Sequence, residues 1–153
     1  MKNQIRFVHT NLIAKDWKKL AAFYIKVFGC KPIYPERDLE GQWIEDLTGI
    51  GDVHIRGIHL TLPGYETGPT LEIFEYNKTG DRGSIPAINE YGFGHIAFHV
   101  ENVEETINEV LNNGGSTYGE LIEKDIEGIG RLKVVYTRDP EGNIVEVQNW
   151  GRE

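Results

Sequence analysis

The chain carries one pattern twice, and this repeat constrains its fold more than any other feature. His9 is followed 20 residues later by Gly29, at the end of an amphipathic segment, and His95 is followed 20 residues later by Gly115, at the end of another. Self-similarity of this kind indicates repeated structural units. Each histidine therefore opens a similar module.

Hydrophobic periodicity gives the order of elements in each module. In the first half it predicts a strand, a helix and two strands, over residues 5–13, 16–28, 54–62 and 70–76. The stretch from residue 33 to 52 between them reads as irregular. In the second half it predicts a strand over 94–100, a helix marked by Val103, Ile107, Val110 and Leu111, and a hairpin of residues 132–137 and 143–150. The hairpin turns at Asp139-Pro140-Glu141-Gly142, where proline presets the turn and glycine relieves its strain.

The length allows both modules to share one core. We expect a single domain over 1–153, with module 1 at 5–78, a linker at 79–92 and module 2 at 93–150. From His9 to Glu72 there are 63 residues and from His95 to Glu146 there are 51, so module 1 carries an insertion of 12. Its simplest place is the irregular stretch between residues 34 and 52.

Composition excludes several classes of partner. The net charge of −8 would repel nucleic acid, whose binding depends on phosphate attraction. No apolar run approaches the roughly 20 residues that span a bilayer, and the first ten residues lack the apolar stretch of a secretion signal. Cys30 is the single cysteine, so an internal disulfide is impossible. We expect a cytoplasmic protein that binds neither nucleic acid nor membrane.

Two carboxylates lie at matching positions in the two modules, where burial of an unpaired charge would cost free energy. Glu72 lies between Leu71 and Ile73, and Glu146 lies between two valines, so each points away from the apolar face of its strand. A charge held in the middle of a strand needs a partner if it is buried, and a metal ion is one such partner. The matching placement in both modules favours this interpretation over solvent exposure.

Together with the two histidines, these carboxylates form a metal-ligand set. We predict that His9, Glu72, His95 and Glu146 bind a divalent ion, with zinc or nickel first and cobalt, manganese or iron as alternatives. A single histidine on a strand is more often a hydrogen-bonded core or edge residue, which is our interpretation of His54, His59 and His99. Trp43, His59 and Trp150 are candidate pocket residues with aromatic surface for a small substrate.

The chain resembles the vicinal oxygen chelate superfamily, the glyoxalase and bleomycin-resistance fold. The likeness is carried by the segment around His9, by Thr70-Leu71-Glu72-Ile73-Phe74, by Gly94-His95-Ile96-Ala97-Phe98, and by the turn that leads to Glu146. The resemblance implies an α+β fold of two βαβββ modules, whose curled mixed sheets enclose a metal cleft. It also implies ligands on the first and last strand of each module, and the set found there is similar to that of bacterial glyoxalase I.

This resemblance implies a metal-dependent lyase or isomerase that acts by proton abstraction next to a metal-bound oxygen of a small substrate. Glu146 or Glu72 would be the base, and the fold often forms homodimers, in some members with the cleft between chains. Two family features are missing. Glyoxalase I commonly has an arginine four residues after its first ligand and an asparagine four residues after its second, and these positions are Ile13 and Tyr76.

Other members of the fold remain open as alternatives. A methylmalonyl-CoA epimerase resembles the second module, but it has an additional acidic residue on the strand before its second ligand, and residues 55–62 contain no acid. An extradiol dioxygenase would use His9, His95 and Glu146 for iron, and Glu72 would then block a position that oxygen or substrate needs. A drug-binding resistance protein would need no metal ligands at all.

Overall fold

The structure is a computed structural model that describes residues 4–151. The chain divides into two compact units, residues 4–25 with 29–81, and residues 26–28 with 82–151. Each unit contains a four-stranded mixed sheet, so the predicted α+β fold is confirmed. Within the described residues, no helix is long and apolar enough to cross a membrane.

The first unit has the order strand, helix and three strands, with a short extra helix. Its elements are β1 (His9–Ile13), α1 (Trp17–Phe28), β2 (Lys31–Glu40), α2 (Gln42–Thr48), β3 (His54–Thr61) and β4 (Thr70–Tyr76). The strand order in the sheet is β1-β4-β3-β2. The first strand runs parallel to β4, and the other neighbours are antiparallel.

The second unit repeats this topology without the extra helix. Its elements are β5 (Ile96–His99), α3 (Val103–Asn112), β6 (Ser116–Ile126), β7 (Gly130–Arg138) and β8 (Ile144–Gly151). The strand order is β5-β8-β7-β6, with β5 parallel to β8 and antiparallel pairs elsewhere. The two βαβββ modules that the family resemblance implies are therefore confirmed, whereas the hydrophobic pattern alone predicted neither β2 nor β6.

Local sequence explains why α1 begins and ends where it does. The Asp16 side chain accepts a hydrogen bond from the backbone N–H of Lys19 at 3.1 Å and caps the first turn. Gly29 ends the helix with a φ of 70°, a left-handed conformation that glycine adopts without strain. The helix buries Leu20 and Tyr24, as its periodicity predicts.

The prediction of an irregular stretch over residues 33–52 was wrong. Most of it forms β2 and α2. Prolines at 32 and 35 hide the strand pattern, but β2 is an edge strand, where a missing backbone N–H is tolerated. Its register also shifts between Ile33 and Arg37. The insertion in the first module lies here, since residues 41–53 join β2 to β3 whereas residues 127–129 join β6 to β7.

Smaller corrections concern strand ends and one helix residue. The first strand begins at His9 rather than at residue 5, and β5 begins at Ile96 rather than at residue 94. The two histidines predicted as metal ligands therefore lie at the start of β1 and just before β5. Leu111 is exposed, because the buried face of α3 is narrow and is centred on Val103 and Val110. The predicted hairpin of β7 and β8 is confirmed.

The thiol of Cys30 should be chemically inert. Cys30 is buried, and its burial raises the pKa of the thiol to about 11. At pH 8 only about a thousandth of such a thiol is ionised. We therefore expect that a disulfide reagent labels the native protein very slowly and labels one thiol per chain in guanidinium. Labelling of the native protein at the rate of free cysteine would contradict this prediction.

Candidate metal centre

Three potential metal ligands meet in the first unit. They are His9 at the start of β1, His59 on β3 and Glu72 on β4. The Nε2 atom of His59 lies 2.7 Å from Oε2 of Glu72, and Nε2 of His9 lies 3.6 Å from Oε1. One donor atom from each residue lies within 4.8 Å of the others, and among the described residues this is the only such group of three. Strand pairing creates this cluster from segments that are distant in sequence.

Glu72 is held on both of its oxygens. While His59 contacts Oε2, the side-chain amide of Asn11 on β1 donates a hydrogen bond to Oε1 at 2.8 Å. The Glu72 side chain is only 12% exposed. Partners that fix a ligating carboxylate set its orientation toward a metal. Sequence analysis missed the role of Asn11, because its position opposite Glu72 depends on strand register.

His59 is electrostatically suited to be a ligand rather than a counter-ion. Burial lowers the pKa of His59, and the electrostatic influence of Arg37 and His9 lowers it further, although Glu72 acts in the opposite direction. A histidine that is neutral at pH 7 does not compensate the carboxylate charge. Its Nδ1 lies 3.0 Å from Oγ1 of Thr70, a contact that can orient the ring and leave Nε2 directed at Glu72.

The second unit contains the other predicted pair. Nε2 of His95 lies 2.9 Å from Oε2 of Glu146, whose side chain is 17% exposed. The ring of Tyr136 meets the His95 ring edge-on, with centroids 5.1 Å apart. Among residues 4–151, His95 is the one polar partner of the Glu146 carboxylate.

The two sites correspond residue by residue in strand register, and they differ in what surrounds the carboxylate. The residue beside Glu72 on the first strand is Asn11, and the residue beside Glu146 is Ala97. On the adjacent antiparallel strand, His59 is opposite Glu72 and Tyr136 is opposite Glu146. The first carboxylate is therefore fixed on both sides, whereas the second has neither of these partners.

The structure brings each predicted His–Glu pair together within its own unit. It adds His59, which we had interpreted as an ordinary strand histidine. Of the candidate pocket residues, His59 lines a cavity in the first unit, Trp43 is exposed on α2, and Trp150 donates its indole N–H to Gln148. His54 lies apart from the cluster, in contact with Asp38.

The donor chemistry fits a divalent metal. Imidazole nitrogens and carboxylate oxygens form a borderline-hard set that suits zinc, nickel, cobalt, manganese and iron. Glu72 and Glu146 are largely buried, and no lysine or arginine of the described residues forms an ion pair with either. A bound cation would supply the missing positive charge.

Comparison with known proteins identifies the family. A family model described as the glyoxalase/bleomycin resistance protein/dioxygenase superfamily matches residues 6–147. The chain belongs to this superfamily. Lactoylglutathione lyase of Escherichia coli O157:H7 is 25% identical over 143 residues, which are 94% of this chain and 91% of the lyase. The lactoylglutathione lyase of Salmonella typhimurium is also 25% identical, over 97% of each chain.

Solved structures of the superfamily share the fold. A glyoxalase family protein from Bacillus cereus has a TM-score of 0.83 at 16% identity and covers 97% of this chain and 96% of its own. A fosfomycin resistance protein from Listeria monocytogenes, in complex with Mn(II) and sulfate, has a TM-score of 0.55 at 19% identity, over 99% of this chain and 95% of its own. Both similarities confirm the fold, and the residues of the site decide what this chain does with it.

Proposed function

We propose that this glyoxalase superfamily protein is a metal-dependent lyase or isomerase that removes a proton next to a metal-bound oxygen of a small substrate. The observation that carries the proposal is the His–carboxylate pair at equivalent register positions in both modules. Relatives named lactoylglutathione lyase, matched over nearly the whole chain, support the same reaction class.

The proposed metal ligands are His9, Glu72, His95 and Glu146, with zinc or nickel as the preferred ion. In this proposal one ion takes ligands from both pairs, and the chain acts as a homodimer. When bound, the ion supplies Lewis acidity that stabilises negative charge developing on a substrate oxygen. His59 either replaces one of these ligands, a role that requires its neutral imidazole, or orients Glu72 by donating a hydrogen bond to it.

The proposed base is Glu146. A carboxylate that removes a proton must be free to turn toward the substrate carbon, and Glu146 has a single polar partner among the described residues, His95. Glu72 is held by His59 on one oxygen and by Asn11 on the other, which suits a stationary ligand. Proton transfer by a positioned carboxylate contributes about 10²- to 10⁴-fold to a rate.

The substrate in this proposal is the adduct of a 2-oxoaldehyde with a thiol. The positions at which glyoxalase I commonly binds glutathione are Ile13 and Tyr76 in this chain, so the glutathione anchors of that enzyme are replaced. Tyr76 faces the same side of β4 as Glu72, and burial raises the pKa of its phenol, with a further rise from the Glu72 charge. The thiol partner can therefore differ from glutathione.

An activity panel tests the reaction class. The metal-loaded protein is assayed with methylglyoxal and each of several thiols, with acyl-CoA thioesters and with catechols, before and after removal of metal by a chelator. We expect turnover of at least one methylglyoxal adduct, its loss on chelation and its return with zinc or nickel. Turnover of acyl-CoA thioesters or catechols alone would contradict the proposal. Tight binding of a drug by protein without stoichiometric metal would indicate a sequestering protein instead.

A further inference from the structure

A cavity of about 710 Å³ lies within the first unit, next to the His9, His59 and Glu72 cluster. It is bounded by the segment before β1, by β2 and β3, and by the loop that joins β3 to β4. Its polar lining includes Arg6, Arg37, His59, Thr61, Tyr65 and Glu66. The volume is that of a pocket for a small organic molecule. His59 belongs to both features, since it lines the cavity and contacts Glu72 at 2.7 Å.

Strand alternation places the cavity and the metal ligands on the same face of the sheet. Thr70 lines the cavity and is two residues from Glu72 on β4, so the two side chains point to one side. A molecule that fills the cavity therefore reaches the carboxylate without passing through the sheet.

The cavity carries positive charge that no acid neutralises directly. Within residues 4–151, neither Arg6 nor Arg37 forms an ion pair with a carboxylate. Arg37 donates to the backbone carbonyl of Pro35, which steadies its guanidinium, and its charge is close enough to His59 to help lower the pKa of that residue. Glu66 is the one acid of the lining. Arg6 lies before β1 and Arg37 lies on β2, so the two arginines line the cavity from opposite edges of the sheet, in a chain whose net charge is −8.

We propose that this cavity is the subsite for an oxyanion of the substrate, a carboxylate or a phosphate on its thiol part, bound by Arg6 and Arg37. The inference rests on the proposed function for the identity of the reacting end. It adds a binding site for the thiol part of the substrate. Arginine binds carboxylate and phosphate through paired N–H donors, and such charge-assisted bonds are among the stronger ones in proteins. The thiol part extends from the cavity, past His59, toward Glu72.

Calorimetric titration of the metal-free protein tests the subsite independently of catalysis. The probes are glutathione for a carboxylate, coenzyme A for a phosphate, and glutathione diethyl ester, in which both carboxylates are neutral. We expect saturable binding of glutathione or of coenzyme A, and the one that binds identifies the oxyanion. If glutathione is the ligand, its diethyl ester should bind at least about 10-fold more weakly.

Substitutions locate the binding site. Arg37→Gln and Arg6→Gln should each raise the Kd by about 10- to 100-fold, and Arg37→Lys should recover part of the loss because it keeps the charge. The matched control is Arg56→Gln, because Arg56 is an exposed arginine of β3 outside the lining, and it should leave the Kd unchanged. Circular dichroism of each variant checks that the fold is retained.

Three results would overturn the proposal. They are absence of saturable binding of either oxyanion to the wild type, an unchanged Kd in both cavity variants, and an equal loss of affinity in Arg56→Gln. Because no metal or turnover is involved, failure of the lyase assay leaves this result standing. Conversely, failure of the subsite leaves the reaction class to be judged by the activity panel.

Discussion

Replacement of Glu146 by glutamine should lower kcat by about 10²- to 10⁴-fold, the contribution of a positioned general base. Glutamine keeps the size of the side chain but does not accept a proton at neutral pH. The structure leaves Glu146 with His95 as its one polar partner among residues 4–151, so the substitution removes no network that holds the fold. The measurement is kcat per bound metal ion, with metal content determined on the same sample.

The matched comparison is Glu72→Gln. Because Asn11 and His59 hold the Glu72 carboxylate, this variant should mainly weaken metal affinity, and activity should return when excess metal is supplied. Equal kcat per bound ion in Glu146→Gln and the wild type would assign the base elsewhere. A loss of kcat in Glu72→Gln that excess metal does not restore would indicate that Glu72 is the base and Glu146 the stationary ligand.

Replacement of His9 by alanine should abolish stoichiometric metal binding and lower activity by about 100-fold or more, since it deletes an imidazole ligand. The His9 side chain is more than a third exposed, so the substitution should lower metal binding and activity and change the free energy of unfolding little. The measurement is metal content after dialysis, together with activity in metal-free and metal-supplemented buffer.

His54→Ala is the control for this variant. His54 also lies on the sheet of the first unit, but its partners are Asp38 and Glu40 rather than the cluster. Metal content and activity should both equal those of the wild type. Full metal occupancy in His9→Ala, or an equal loss in His54→Ala, would contradict the ligand assignment.

The repeat and the amphipathic helices predicted two similar halves that each begin with a strand and a helix, and the family resemblance supplied the full βαβββ order. The 20-residue spacing from each histidine to a glycine spans a strand and a helix in both modules, although α1 ends directly before Gly29 whereas α3 ends at Asn112. The alternation around Glu72 and Glu146 predicted which face of each strand they occupy, and the structure places each beside its own histidine.

What the sequence did not reveal depends on register and on edge position. His59 and Asn11 flank Glu72 because particular residues of β3 and β1 lie opposite it, and alternation predicts a face but not a partner. The strands β2 and β6 were not predicted. Both are edge strands with few buried residues, so apolar and polar residues do not alternate regularly along them. The helix α2 lies in the insertion of the first module. It carries Trp43, which we predicted as a candidate pocket residue and which is exposed.

The most direct test of one ion shared by both modules is the metal stoichiometry of three proteins, measured by elemental analysis after dialysis. They are the wild type, a first-module variant, Glu72→Ala, and a second-module variant, His95→Ala. We expect one divalent ion per chain in the wild type and its loss in both variants, because each removes a ligand of the same ion. A wild type without stoichiometric metal, or an ion that either variant retains, would contradict it.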